Sequence, residues 1–297
     1  MIARFSIPLP LGTRGVGSHP VRLIRANVLV LIAVLEVFQL NLVAQVRPSY
    51  LGFDRNTYPG DSNLKALHQT FSYTGYWLNN PRGERTNTWT GHRAAVESAG
   101  FGFLVLFNGR LYAELKSVAR ATKLGDSDGQ AAVAAAHREG FPAHIIIFLD
   151  QEQGGRMLPE QKAYIYAWVD AVTAAGFRAG VYCSGIPAKD DGNVVTAEDI
   201  RQSAAGRQIV YWAINDACPP APGCAFPTHP PSPAQSGVCF AEVWQFAQSP
   251  QRKDVAAHCA NYSRDGNCYP PGVSLAQQLH LDVNSAASPD PSNGRTP

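Results

Sequence analysis

His144–Gly155 reads "HIIIFLDQEQGG". Its aliphatic and aromatic run has the length and β-branched content of a strand buried on both faces. Asp150, Gln151 and Glu152 follow at once, then Gln153 and two glycines. A core strand that ends in two acids must bring them out at an open end of the core. Strands of this kind occur in parallel sheets, whose neighbours are joined by crossover helices.

The flanking sequence supplies those helices. Downstream, "LPEQKAYIYAWVDAVTAAG" places Ile165, Trp168, Val169 and Val172 at helical spacing, and Gly176 ends it. "FRAGVYCSG" is a fifth strand and "TAEDIRQSAAG" a fifth helix. Upstream, the strands "YLGFD", "FSYTGYWL" and "FGFLVLFNG" alternate with three helices. These are "SNLKALHQT", "TWTGHRAAVESAG" capped by Thr88 or Thr90, and the Ala-rich "DSDGQAAVAAAHREG". After the fifth unit the alternation breaks. "RQIVYWAIND" and "AEVWQFAQ" are strands separated by a Pro- and Cys-rich insertion, 217–240, and "LHLDVN" is a short eighth strand. Five strand–helix units followed by three strands predict an α/β chain closed as a TIM-type barrel. No GxGxxG follows the first strand, so a dinucleotide-binding sheet is disfavoured.

The barrel is expected to span residues 47–285 of the 297-residue chain, with a polar, Pro-rich and disordered tail over 286–297. Residues 1–46 differ in character. Arg14, Arg22 and Arg25 precede the apolar run "NVLVLIAVLEVFQL", and Ala44 lies beyond it, the layout of a secretory signal peptide. An anchor helix is the rival reading, but Glu36, Gln39 and Asn41 interrupt the run. The expected location is outside the cytoplasm, secreted or in the periplasm or cell envelope, with no stable membrane insertion once the signal is removed.

Six cysteines suit an exported chain with disulfides, and the local pairs Cys218–Cys224 and Cys259–Cys268 are the simplest expectation among fifteen connectivities. Cys183 reads as a buried small residue. No CxxC, HExxH or paired-histidine spacing suggests a metal, and no cofactor is expected. A net charge of +2 without a basic stripe argues against nucleic acid as a partner.

Barrels of this type carry their sites at the carboxyl ends of the strands. Four strands here end in acid: Asp54, Asp150 with Glu152, Asp216 and Asp282. Side chains alternate along a strand, so Asp150 and Glu152 face the same way, roughly 7 Å apart. Two carboxylates, one protonated and one ionised, can hydrolyse a glycosidic bond. The bland reading is that strand-end acids cap helices or pair with arginine. Aromatic side chains near the same ends suit the apolar faces of sugar rings: Trp77, Tyr182, Trp212 and Trp244. Asn108 and Gln245 are candidate hydrogen-bonding neighbours, and His280 shares a face with Asp282.

Taken together, "YLGFDRNTYPG", "GFPAHIIIFLDQEQ", "GFRAGVYCSG", "EVWQFAQ" and "LDVN" resemble the bacterial glycoside-hydrolase-like domains known as domain of unknown function family 1906. That family is similar to the family 25 lysozymes, and the resemblance runs from about Tyr50 to Asn284. It implies Glu152 as general acid and Asp150 as its partner. Asp54 and Asp282 then position or stabilise the substrate, which would be the glycan backbone of peptidoglycan. Two features depart from the pattern: Asn108 stands where the lysozymes carry an acid, and the insertion is foreign to them.

Two functions follow. One is an exported glycosidase acting on peptidoglycan or a related amino-sugar polymer. The other is a non-catalytic glycan-binding or envelope module on the same barrel. Acids converging on one pocket favour the enzyme; acids neutralised by Arg55, Arg110 or Arg156 favour the module.

Overall fold

The structure is a computed structural model, and it describes residues 48–189, 192–254 and 259–296. The signal-like segment lies outside these residues. The first half of the barrel is β1 (Tyr50–Asp54), α1 (Asp61–His68), β2 (Tyr73–Trp77), α2 (Arg93–Ser98), β3 (Gly102–Asn108), α3 (Tyr112–Leu115) and α4 (Val118–Arg138). The second is β4 (Ile146–Asp150), α5 (Pro159–Ala174), β5 (Arg178–Ser184), α6 (Thr196–Gln202), β6 (Ile209–Ile214), β7 (Ala241–Ala247) and β8 (Asp282–Ala286). The eight strands pair in sequence order and close into a barrel. It is the expected α/β architecture of TIM type, five strand–helix units followed by three strands.

The apolar run of the opening stretch is β4, buried at every position. Its crossover helix α5 starts with Pro159, whose missing N–H costs nothing at a helix start. Trp168 and Tyr164 on α5 are fully buried. Helix α4 meets α5 at very close range. A Cβ added at Gly125 would lie 2.2 Å from the Tyr164 carbonyl oxygen, so only glycine permits this approach. Asp128, a polar residue on that contact face, is satisfied by the Tyr164 hydroxyl at 2.9 Å and by Arg110.

Three expectations need correction. First, β8 is antiparallel to both neighbours, β7 and β1, so the sheet is not wholly parallel. A loop joins β7 to β8, and without a crossover helix the chain can return in the opposite direction. Second, the disulfides are Cys218–Cys259 and Cys224–Cys268, not the local pairs. Both bridges tie the insertion to the β7–β8 loop, because the insertion folds back across that loop. Sequence distance was a poor guide to neighbours there. Cys183 and Cys239 are free, the first buried and the second exposed.

Third, the tail is ordered through Thr296 and caps the amino-terminal end of the barrel. Asp290 Oδ1 accepts from the Phe103 N–H at 2.8 Å, and Ser292 Oγ accepts from the Val105 N–H at 2.8 Å. The Ser292 carbonyl accepts from the Ile146 N–H, and buried Arg93 donates to the Gly294 carbonyl. Composition suggests disorder, but these polar residues answer strand donors that would otherwise stay unpaired. Deleting residues 288–297 is therefore expected to destabilise the barrel, by about 1–3 kcal/mol for each donor left dry. Urea unfolding of the truncated chain checks this; an unchanged midpoint would show the cap to be dispensable.

Candidate active site

The carboxyl ends of the strands surround a groove of about 360 Å³. Asp54, Asp150, Glu152 and Asp282 all line it, with Trp77, Tyr182, Trp212, Gln245 and His280. Nine of the twelve residues singled out in the sequence therefore come together at one mouth; Asn108, Asp216 and Trp244 do not.

Asp282 reaches that mouth by an unexpected route. It begins β8 rather than ending it, and the antiparallel direction brings it opposite Asp54 across the β1–β8 pairing. Asp54 accepts from Asn284 Nδ2 at 2.7 Å, and Asn284 Oδ1 in turn accepts from the Trp212 indole at 3.1 Å. Asp282 accepts from Gln245 Nε2 at 2.9 Å and from the Ser249 N–H at 2.6 Å. Gly75 makes room for this arrangement, since a Cβ there would come within 2.6 Å of the Asp54 Cβ. Asp150 is buried, and its Oδ1 has no hydrogen-bond partner among the described residues.

Burial governs the chemistry of these groups. It pushes the Asp54 carboxyl up to about 7, against the opposing pull of the Asn284 hydrogen bond. Burial also raises Asp282 well above the carboxylate range, reinforced by Asp54 beside it. Asp150 is raised by burial, then by the Glu152 charge, with Arg82 opposing. The Tyr182 hydroxyl is raised by burial and by the surrounding acids. Burial thus shifts all three aspartates toward their protonated forms, and Asp54 stands near the midpoint of its titration at neutral pH.

Glu152 differs. Its side chain is 42% exposed, and its Oε2 lies 2.7 Å from Arg82 Nε, without hydrogen-bond alignment at that nitrogen. Arg82 is anchored from behind, donating to Asn108 Oδ1 at 3.0 Å and to the Gly109 carbonyl at 2.7 Å. Asn108 is accordingly not a groove residue but the support of an arginine. Arg82 sits in the irregular loop "NNPRGERTNT", which carries no periodic signal that could have marked it. Arg110 and Arg156 sit elsewhere, against Asp128 and Asp199.

Trp244 is the second departure. It is fully buried and donates to the Asn215 carbonyl at 2.8 Å, and it does not line the groove. Its neighbour Gln245 takes the inward position, and alternation turns the indole to the other face. Asp216, the fourth strand-end acid, is fully buried against Arg252 and does not line the groove either. Among the described residues no group of His, Cys, Asp or Glu is placed to hold a metal ion.

An α/β barrel whose mouth gathers buried carboxyl groups beside aromatic rings belongs to the glycoside-hydrolase-like architectures. The sequence matches the Rv2525c-like, glycoside hydrolase-like domain over residues 68–230, more than half of the chain, and the protein belongs to that family. The matched region contains Asp150 and Glu152 but neither Asp54 nor Asp282. Similar solved structures include an uncharacterized protein of B. stearothermophilus, 20% identical over 80% of this chain and 95% of that one, with a TM-score of 0.52. The Tat-secreted protein Rv2525c of Mycobacterium tuberculosis is 13% identical, over 82% and 96% of the two chains, with a TM-score of 0.47. The spore cortex lytic enzyme SleM of Clostridium perfringens is 16% identical, over 81% and 68%, with a TM-score of 0.49. No curated protein sequence matches the chain.

The raised Asp54 carboxyl has a stability consequence of defined sign. Its folded value of about 7 exceeds the ordinary 3.8, so its contribution is fully present below about pH 4 and is lost as pH rises through 7. Asp54→Asn should therefore be more stable than the wild type at pH 8.5, on the scale of about 1.4 kcal/mol per pKa unit relieved. The gain should vanish at pH 4. Urea unfolding at both pH values checks it, and a variant no more stable at pH 8.5 would mean that Asp54 is not strained by burial.

Proposed function

We propose that this protein is an exported glycoside hydrolase that cleaves peptidoglycan or a related amino-sugar polymer, with Glu152 as the proton donor. The observation that carries the reading is the convergence of Asp54, Asp150, Glu152 and Asp282 on one groove beside Trp77, Tyr182 and Trp212. Membership of a glycoside hydrolase-like family supports it. Asp150 and Asp54 are the partners of Glu152, tuning and stabilising charge at the reacting carbon. The aromatic rings and Gln245 hold the sugars. Of these four acids Glu152 is the one exposed to solvent, where an incoming glycosidic oxygen can meet it. Its contact with Arg82 must open before it can carry a proton to the leaving oxygen, and a bound glycan that displaces Arg82 would open it. Export is supported by the basic-then-apolar amino-terminal segment and by two disulfides, which persist in oxidising compartments.

A second reading rests on that same contact. An acid neutralised by arginine is a poor proton donor, so the Arg82–Glu152 pair favours a module that holds glycan without cutting it. Release of reducing ends from purified peptidoglycan decides between them. The hydrolase reading predicts release by the wild type and a loss of about 10²–10⁴-fold in Glu152→Gln. Glycan binding without release by either protein would establish the binding module.

A further inference from the structure

Arg55 is a cation of the groove that makes no ion pair among the described residues. It follows Asp54 directly and lines the mouth. Its backbone is fixed, because its carbonyl accepts from the Trp77 indole at 3.1 Å and from the Trp89 indole at 3.2 Å. Its guanidinium, by contrast, makes no ion pair among the described residues, although five carboxyl groups, Glu84 among them, line the groove. Its Nε is buried and has no hydrogen-bond partner there. The Nε of Arg82 and of Arg93 is likewise buried without a hydrogen bond, but those arginines have carboxylate partners, as do Arg110 and Arg252: Glu152 for Arg82, Glu97 for Arg93, Asp128 for Arg110 and Asp216 for Arg252.

A charged donor whose N–H is buried without an acceptor is costly, and more so than a neutral donor would be. Burial lowers the Arg55 pKa, and the charge of Asp282 only partly offsets this. The group that relieves such a fork best is a carboxylate, which it can bind through two parallel hydrogen bonds. Sugar hydroxyls offer one weaker acceptor at a time. The three buried aspartates do not repel such a ligand as full charges would, because burial favours their protonated forms.

We infer that Arg55 recognises a carboxylate substituent on the sugar held in the mouth, so that the glycan this site takes is an acidic one. The inference rests on reading the mouth as a glycan site, and it narrows that site to carboxylate-bearing polymers. The lactyl carboxylate of a muramic acid that carries no peptide and the C6 carboxylate of a uronic acid both present this chemistry.

Calorimetric titration with three tetrasaccharides tests it, on the Glu152→Gln background so that turnover does not consume the ligand. The three are a GlcNAc–MurNAc tetrasaccharide with free lactyl carboxylates, a hyaluronan tetrasaccharide and chitotetraose, which has no carboxylate. At least one acidic tetrasaccharide should bind about tenfold tighter than chitotetraose at low salt. Which of the two does so identifies the source of the carboxylate. Adding Arg55→Gln should bring the affinities to within about a factor of two, and Arg55→Lys should keep part of the preference. Chitotetraose bound as tightly as both acidic ligands, or a preference that Arg55→Gln leaves intact, would overturn the inference while leaving the glycan site standing. Binding of none of the three would overturn both.

Discussion

The antiparallel pairing of β8 with β1 closes the barrel and, in the same step, builds its mouth. It sets Asp282 directly across from Asp54. Had β8 run parallel, Asp282 would begin its strand at the far end, among the tail residues that cap the base. The same pairing brings Asn284 within hydrogen-bonding distance of Asp54 and Trp212. Closure therefore links β1, β6 and β8 through one buried chain of donors and acceptors.

Closure also desolvates what it gathers. Asp54, Asp150 and Asp282 sit where an apolar residue would serve stability better, and burial forces each toward its protonated form. A fold selected for stability alone would not crowd three such groups together without pairing any of them to a cation. Glu152 and Arg82 sit further out, where water still reaches, and they set the charge balance of the rim. The site thus grades from dry, proton-holding aspartates to a solvent-facing ion pair, and the groove between them is where a ligand changes that balance.

Much of this was legible in the sequence, for physical reasons that vary by element. Strand β4 is a continuous apolar run that only a doubly buried strand explains, and α5 carries an unambiguous helical stripe. Asp150 and Glu152 follow from two-residue alternation past the end of that strand. What escaped depended on contacts between distant segments. The tail is polar because its side chains cap strand donors rather than because it is unfolded, and composition alone does not separate the two cases. The disulfides join the insertion to a loop some forty residues away. Trp244 and Asn108 sit at the right height on their strands but serve other neighbours, Asn215 and Arg82. Arg82 itself lies in a loop without pattern, and its role emerges only from where that loop folds.

The proton inventory of the mouth is the most direct test of this picture. The aspartate carboxyl carbons of uniformly labelled protein, followed by NMR between pH 4 and 9, report it group by group. Burial at the mouth predicts at least one aspartate that still exchanges its proton at about pH 7, where Asp54 is placed. A protein in which every aspartate has finished titrating by about pH 5 would contradict it, because its mouth would then be lined by ordinary hydrated carboxylates.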